Sequence, residues 1–425
     1  MNIIKTVLIV LIFSSSVVPM LFAGEPLTWQ DCVREAAINN PDLISAAEVI
    51  QQKTSDKFSA QSELLPQVTG SAGASRAEAT SSAASSTIRN SYSYGVDGTQ
   101  LIFDGLKTVN DINAATENVK SARENYRFIS SEVRFALRTA FADLLKAQAL
   151  INVAEDIWKI RRSNLELITL RYMSGLEHKG ALLTAEANAA QASYDLAKAR
   201  RDMVYSQKEL ARQMGQEDFA PMLVEGNFIV RDTAEVKPDF MEIIKTNPSV
   251  LKAAATKNAA LFSKKSAIGS FLPEISGNAG AGRSGKSLAP QNNQWNFGAT
   301  LSVPIFEGGL KLAQLSQADA TYKKAMADEN SVRNTAIVSL EETWAVLQNT
   351  MENVDVNAKL LNAYEVRAKI SEAQYSTGFM TFDNWIIIQD DLVSAKKAYL
   401  NAHADALIAE AGWIYAKGET LEYAQ

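Results

Sequence analysis

The chain has 425 residues, 47% hydrophobic and 21% charged, with a net charge of −6. This is the composition of an ordered protein, and the acidic balance argues against nucleic acid as a partner. A single cysteine, Cys32, excludes an internal disulfide, and two histidines, His178 and His403, leave little room for a histidine-based metal or catalytic centre.

In chain order, residues 1–23 read as a secretory signal peptide: Lys5, an apolar run from Thr6 to Phe13, small residues, Pro19, and Ala23 at the expected cleavage point. That apolar core is too short to span a bilayer, and no later run reaches the ~18 apolar residues of a transmembrane helix. Leu27 to Asn40 has helical spacing (Trp29, Val33, Ala36, Ala37) and breaks at Asn40-Pro41. A second helix runs from Pro41 to about Leu64 and stops at Pro66. The texture then changes. Gln67 onward is small and alternating, and Ser91 to Phe103 puts Tyr92, Tyr94 and Val96 on one face and Ser93, Gly95, Asp97 and Thr99 on the other. This predicts two strands, within about 67–103, joined by the polar segment Ala79–Asn90.

Asp104-Gly105 closes the strand, and Leu106 to Ser174 follows without a glycine or a proline. Its apolar positions step by threes and fours, the mark of a helix wound against other helices. At ~1.5 Å per residue such a helix is about 100 Å long. It ends at Gly175, and Ala181 to Met214 returns as a second helix, giving an antiparallel hairpin over about 106–214.

The pattern then repeats. Asn39-Asn40-Pro41 matches Thr246-Asn247-Pro248, and Leu64-Leu65-Pro66 matches Phe271-Leu272-Pro273. Ile102-Phe103-Asp104-Gly105 matches Ile305-Phe306-Glu307-Gly308, and Tyr172 to Gly175 matches Tyr375 to Gly378. Residues 24–225 and 238–417 are thus two copies of one unit, joined by a linker at 226–237 and followed by a C-terminal tail at 418–425. The second unit has a strand hairpin at about 274–304, where Trp295, Phe297, Ala299, Leu301 and Val303 oppose Asn296, Gly298, Thr300 and Ser302. Its helical hairpin covers about 310–415.

Four strands with one apolar face suit neither water nor lipid, because lipid leaves the sheet edges unsatisfied. Membrane barrels begin at about eight strands. Strands that span a membrane here require several chains in one barrel.

The Asn-Pro and Leu-Pro breaks, the Ile-Phe-Asp/Glu-Gly junctions and the Tyr-x-x-Gly tips, in this order and duplicated, resemble the TolC family of outer-membrane efflux channels. The resemblance spans Leu27 to about Lys417. It implies a mainly α fold with a small membrane β-barrel: a homotrimer whose twelve strands share one barrel in outer-membrane lipid and whose helices form an α-barrel across the periplasm of a Gram-negative bacterium. It implies a passive exit duct for a tripartite efflux pump or a type I secretion system, docking a periplasmic adaptor and an inner-membrane transporter. The hairpin tips, Tyr172, Gly175, Leu176, Tyr375, Gly378 and Phe379, match the family's adaptor-contact positions; glycines there also serve as plain helix caps. Where the family often has an aspartate after the tip, this chain has Ala181 and Asn384. Asp383 is the acidic candidate for a pore constriction, or else a helix N-terminal aspartate favoured by the dipole. Phe382 and Trp385 are apolar candidates for the constriction, or else hairpin packing.

Gly280 to Ser287, GAGRSGKS, matches the phosphate-loop pattern, but no helix opens at its Lys-Ser, so the expected structure is an exposed loop at a strand hairpin. No His-Glu-x-x-His, cysteine pair or Gly-x-Ser-x-Gly occurs. Neither enzyme activity nor a cofactor is expected. The alternative reading is a periplasmic coiled-coil structural or adaptor protein, which leaves the two strand hairpins unexplained.

Overall fold

The computed structural model describes residues 26–80, 86–217, 219–230 and 237–424. The expected signal peptide, 1–23, lies outside them. Elements follow in the order α1 (Trp29–Asn39), α2 (Pro41–Ser62), β1 (Gln67–Thr80), β2 (Ser86–Phe103), α3 (Lys107–Met173) and α4 (Lys179–Met214). The same order then recurs as α5 (Phe240–Thr246), α6 (Pro248–Gly269), β3 (Glu274–Gly285), β4 (Asn292–Ser302), α7 (Leu310–Ser376) and α8 (Phe382–Lys417). A short 3-10 turn, Leu421–Ala424, follows.

The two Asn-Pro motifs do the same work in both units. Asn40 caps α2 by accepting from the amides of Asp42 and Leu43, with Pro41 in the first turn, where a missing N–H costs nothing. Its amide also donates to the Gln213 carbonyl at 2.9 Å, tying the start of α2 to the end of α4. Asn247 caps α6 at Ser249 and donates to the Ala416 carbonyl of α8 at 3.1 Å. Each motif fixes where a helix begins and which helix end it abuts.

Helices α3 and α7 have 67 residues each, about 100 Å of helix. Each changes partners along its length. The N-terminal part of α3 lies between α2 and α6, where Glu117 accepts from Asn258 and Asn125 accepts from Lys252. Its C-terminal part lies between α4 and α8, where Arg200 pairs with Glu155 at 3.0 Å and Arg161 pairs with Asp390. Helix α7 passes from α6, through Lys264–Asp319 at 2.6 Å, to α8.

Mid-length, the core is thickest. Leu137, Phe141 and Leu144 of α3 meet Cys32 and Val33 of α1, Leu210 and Met214 of α4, and Val224 of the segment after α4. That segment bonds back through Leu27 to Leu223 at 2.8 Å. Cys32 is fully buried, and burial pushes its thiol up to about 12, consistent with an inert structural role. The C-terminal residues dock here too: Leu421 is buried and its amide donates to Ser130.

The four strands form one antiparallel sheet in the order β1-β2-β3-β4. Two expectations about loops are corrected. Of the Ala79–Asn90 segment, Ala79 and Thr80 belong to β1 and Ser86 to Asn90 to β2, with Thr80 opposite Ser86. Serine and alanine on both faces hide the alternation that would reveal a strand. Of GAGRSGKS, Gly280 to Gly285 are strand, not loop. Gly282 allows β3 to pass close to β2, since a Cβ there would lie 2.8 Å from the Tyr94 carbonyl oxygen. Only the residues from Lys286 onward turn, and no helix follows to make a phosphate cradle.

Candidate functional site

The sheet has two chemically distinct faces. Trp295 and Phe297 are 81% and 83% exposed on one, with Val68, Val96 and Leu301 also exposed there. The other carries mainly serine, threonine, asparagine, glutamine and glycine, with Arg89, Asp97 and Glu274 as its charged residues. At 11 and 12 residues, β4 and β3 have the length of one tilted membrane crossing, ~9–11 residues. Neither β1 nor β4 has a partner on its outer edge among the described residues. Among the described helices, none is long and apolar enough to cross a membrane.

The hairpin tips lie at the far end of the helices. After α3, Gly175 takes φ +72°, its amide bonds to the Tyr172 carbonyl at 2.9 Å and Leu176 N–H to Arg171 at 2.8 Å. After α7, Gly378 takes φ +83°, with Gly378 to Tyr375 at 3.1 Å and Phe379 to Gln374 at 2.8 Å. This left-handed cap uses up two carbonyls at each helix end and strongly favours glycine. Nothing lies within 4 Å of a Cβ added at either glycine, so the demand is on the backbone alone. Leu176 and Phe379 project from the two tips, 68% and 88% exposed.

The paired tyrosines diverge. Tyr172 is partly exposed, whereas Tyr375 is 1% exposed at the centre of the tip. Its ring stacks on Trp385 at 4.5 Å, and Phe382 meets Tyr375 edge-on and is tilted against Trp385. Ile168, Ala181 and Ala185 complete this cluster from α3 and α4. The Arg171 guanidinium sits 4.7 Å over the Tyr375 ring, and the Tyr375 hydroxyl donates to Glu177 at 2.8 Å. Burial, and then the Glu177 carboxylate, push the Tyr375 phenol well above the usual tyrosine range.

Burial sorts the residues expected at the tip. Tyr375 is an internal brace, not a surface contact. Phe382 and Trp385 point into the cluster, as in the hairpin-packing alternative. Ala181 is fully buried, so an aspartate there would have to be desolvated. Asp383 is exposed in the first turn of α8, next to exposed Asn384. Helical spacing does not reveal the roles of Arg171 and Glu177. The signal was present where the two units differ: the equivalent residues are Gln374 and Met380.

A sheet with one apolar face and two unpaired edges, continued by helical hairpins about 100 Å long, is the build of a channel that crosses a membrane and the space beside it. The sequence model of the outer membrane efflux protein family matches residues 32–216 and 241–416, and the chain belongs to that family. It is an outer-membrane efflux channel of the Gram-negative type, with a large periplasmic helical portion. It is 22% identical over 411 residues to the outer membrane efflux protein BepC of Brucella suis, covering 94% of this chain and 89% of that one. The fold superimposes on a membrane protein from Pseudomonas aeruginosa with a TM-score of 0.84, at 19% identity, over 91% of this chain and 93% of that one. It also superimposes on the CmeC outer membrane channel of Campylobacter jejuni with a TM-score of 0.83, at 18% identity, over 92% and 85%.

Proposed function

We propose that three copies of this chain close one tube and serve as the exit duct of a tripartite pump or type I secretion system. The observation that carries this reading is the open sheet: two unpaired edges and an apolar face that only further copies and lipid can satisfy. Three copies supply twelve strands, enough for a membrane barrel. The helices support the same closure. Contacts order them α2-α3-α6-α7 near the sheet and α4-α3-α8-α7 near the tips, leaving α7 free along one side and α2 and α4 along the other. Exposed apolar residues mark both sides: Val338, Val356 and Ile370 on α7, Phe58 on α2, and Tyr194 and Tyr205 on α4.

The tips are the natural place for a periplasmic adaptor, which would meet Tyr172, Leu176 and Phe379 over the capped turns at Gly175 and Gly378. Asp383 would bring one carboxylate per copy to the mouth of the duct. The chain supplies no energy source, so transport would be driven by an inner-membrane transporter. Native mass spectrometry of the detergent-solubilised outer-membrane protein tests this directly. A trimer is the expected result; a water-soluble monomer or dimer would overturn the reading and favour a periplasmic coiled-coil protein.

A further inference from the structure

On the sheet face away from Trp295 and Phe297, one side chain stands out. The other charged residues of this face, Arg89 toward the far end of β2 and Glu274 at the start of β3, lie at opposite ends of it; between them, within 67–75, 91–99, 276–284 and 292–302, every residue on this face is small or an uncharged polar residue except Asp97. Asp97 lies opposite Thr69 on β1 and Gly280 on β3, and Gly280 lies opposite Asn296 on β4. These four residues form one level across the sheet. A Cβ at Gly280 would sit 2.6 Å from the Asn296 side-chain oxygen and would also strike the Asp97 carboxylate. The glycine therefore leaves room for two oxygens to lie over the strand, one of them charged. No cation pairs with Asp97 among the described residues. The duplication does not repeat it: the equivalent position in the second unit is Thr300.

We propose that Asp97 is a charge-selecting residue of the barrel lumen, favouring cationic over anionic solutes at the level of Thr69, Gly280 and Asn296. The inference rests on the reading that copies close a barrel around the polar face. Closure would return the carboxylate once per copy at one height, facing a narrow, low-dielectric wall. Such rings concentrate solutes of opposite charge. Asn296 adds an oxygen and no charge. Gly280 keeps both oxygens against the wall.

The test is local and does not require an open periplasmic end. Asn296→Cys and, separately, Thr69→Cys place a reporter thiol at this level; the native Cys32 is buried and silent. Intact cells are treated with a small cationic and a small anionic methanethiosulfonate, and the ratio of labelling rates is compared with that of free cysteine. Each reporter is expected to favour the cationic reagent several-fold, and Asp97→Asn is expected to remove the preference without changing the total yield. An unchanged ratio in Asp97→Asn would overturn the proposal. So would absence of labelling at both reporters in a protein that is a membrane multimer, because this face would not line an open lumen. Absence of labelling in a protein that is monomeric would remove the barrel reading as well.

Discussion

The Tyr375 hydroxyl donates to the Glu177 carboxylate at 2.8 Å, joining residues 198 positions apart and tying the turn of the first hairpin to the long helix of the second. The Glu177 side chain is only 11% exposed. Tyr375→Phe keeps the stack on Trp385 and deletes this one bond. A hydrogen bond to a charged group contributes about 1.5–3 kcal/mol, and the carboxylate loses a partner in a partly dry site. The expected outcome is a looser tip in an otherwise intact protein. Hydrogen exchange should rise around 170–180 and 372–386 and stay unchanged in the mid-length core around Leu137 and Cys32.

The same tyrosine predicts a response to alkali. Its phenol is raised above the ordinary value of about 10 by burial and by Glu177. A raised acid binds its proton longer in the folded state. Its stabilising contribution is therefore complete below about pH 10 and is lost progressively as pH rises above that value. Limited proteolysis of the tips should accelerate above pH 10 in the wild type. Tyr375→Phe should be looser at neutral pH and show less of this alkaline acceleration.

How far the sequence reaches can be judged residue by residue. Helix-breaking pairs such as Asn40-Pro41 and Asn247-Pro248 act locally, through a cap and a missing N–H, so they mark helix starts reliably. The faces of β4 are equally legible, because Trp295 to Val303 alternates against polar neighbours. The extension of β1 into Ala79 and Thr80 and of β2 into Ser86 to Asn90 is hidden, since this stretch has no regular alternation to read. At the tip, the glycines at 175 and 378 announced the turns. What could not be read was direction. Tyr172 and Tyr375 occupy equivalent places in the repeat, yet only Tyr375 turns inward, because Trp385 stacks on its ring, Phe382 meets it edge-on, Arg171 lies over the ring and Glu177 takes its hydroxyl. Contacts between two hairpins depend on tertiary placement, which helical spacing does not encode.

Gly175→Val with Gly378→Val should impair export while leaving membrane insertion intact. Each valine would have to adopt a left-handed conformation, a penalty of roughly 1–2 kcal/mol with no compensating contact. The last turns of α3 and α7 would unwind, displacing Leu176 and Phe379. Outer-membrane fractionation should recover the double variant at wild-type level, and efflux measured in cells should fall. Normal efflux would mean the capped turns are not needed for docking.

Trp385→Ala attacks the same tip from inside. Trp385 is 1% exposed and carries the stack on Tyr375, so truncation should cost about 3–5 kcal/mol of local packing. Phe379→Ala removes an exposed ring and should leave stability unchanged. If the tip acts through its surface, Phe379→Ala should weaken adaptor capture with no change in tip protection. If Trp385→Ala leaves tip exchange unchanged, the cluster does not brace the hairpins.

Adjacent residues on β4 give the sharpest test of which face meets lipid. Phe297 lies opposite Ala279 in mid-sheet, and Asn296 lies opposite Gly280 on the other face. An arginine on the lipid face near the bilayer midplane costs about 2–4 kcal/mol, and closure would multiply this by the number of copies. Phe297→Arg should therefore accumulate outside the outer membrane or be degraded. Asn296→Arg changes the chain by the same chemistry one residue away, but its side chain would enter a polar space beside Asp97. It should insert at normal level. Carbonate-resistant recovery in outer-membrane fractions separates the two outcomes. Loss of Asn296→Arg with survival of Phe297→Arg would invert the sheet, placing the aromatic face inside and removing the basis for lipid contact at Trp295 and Leu301.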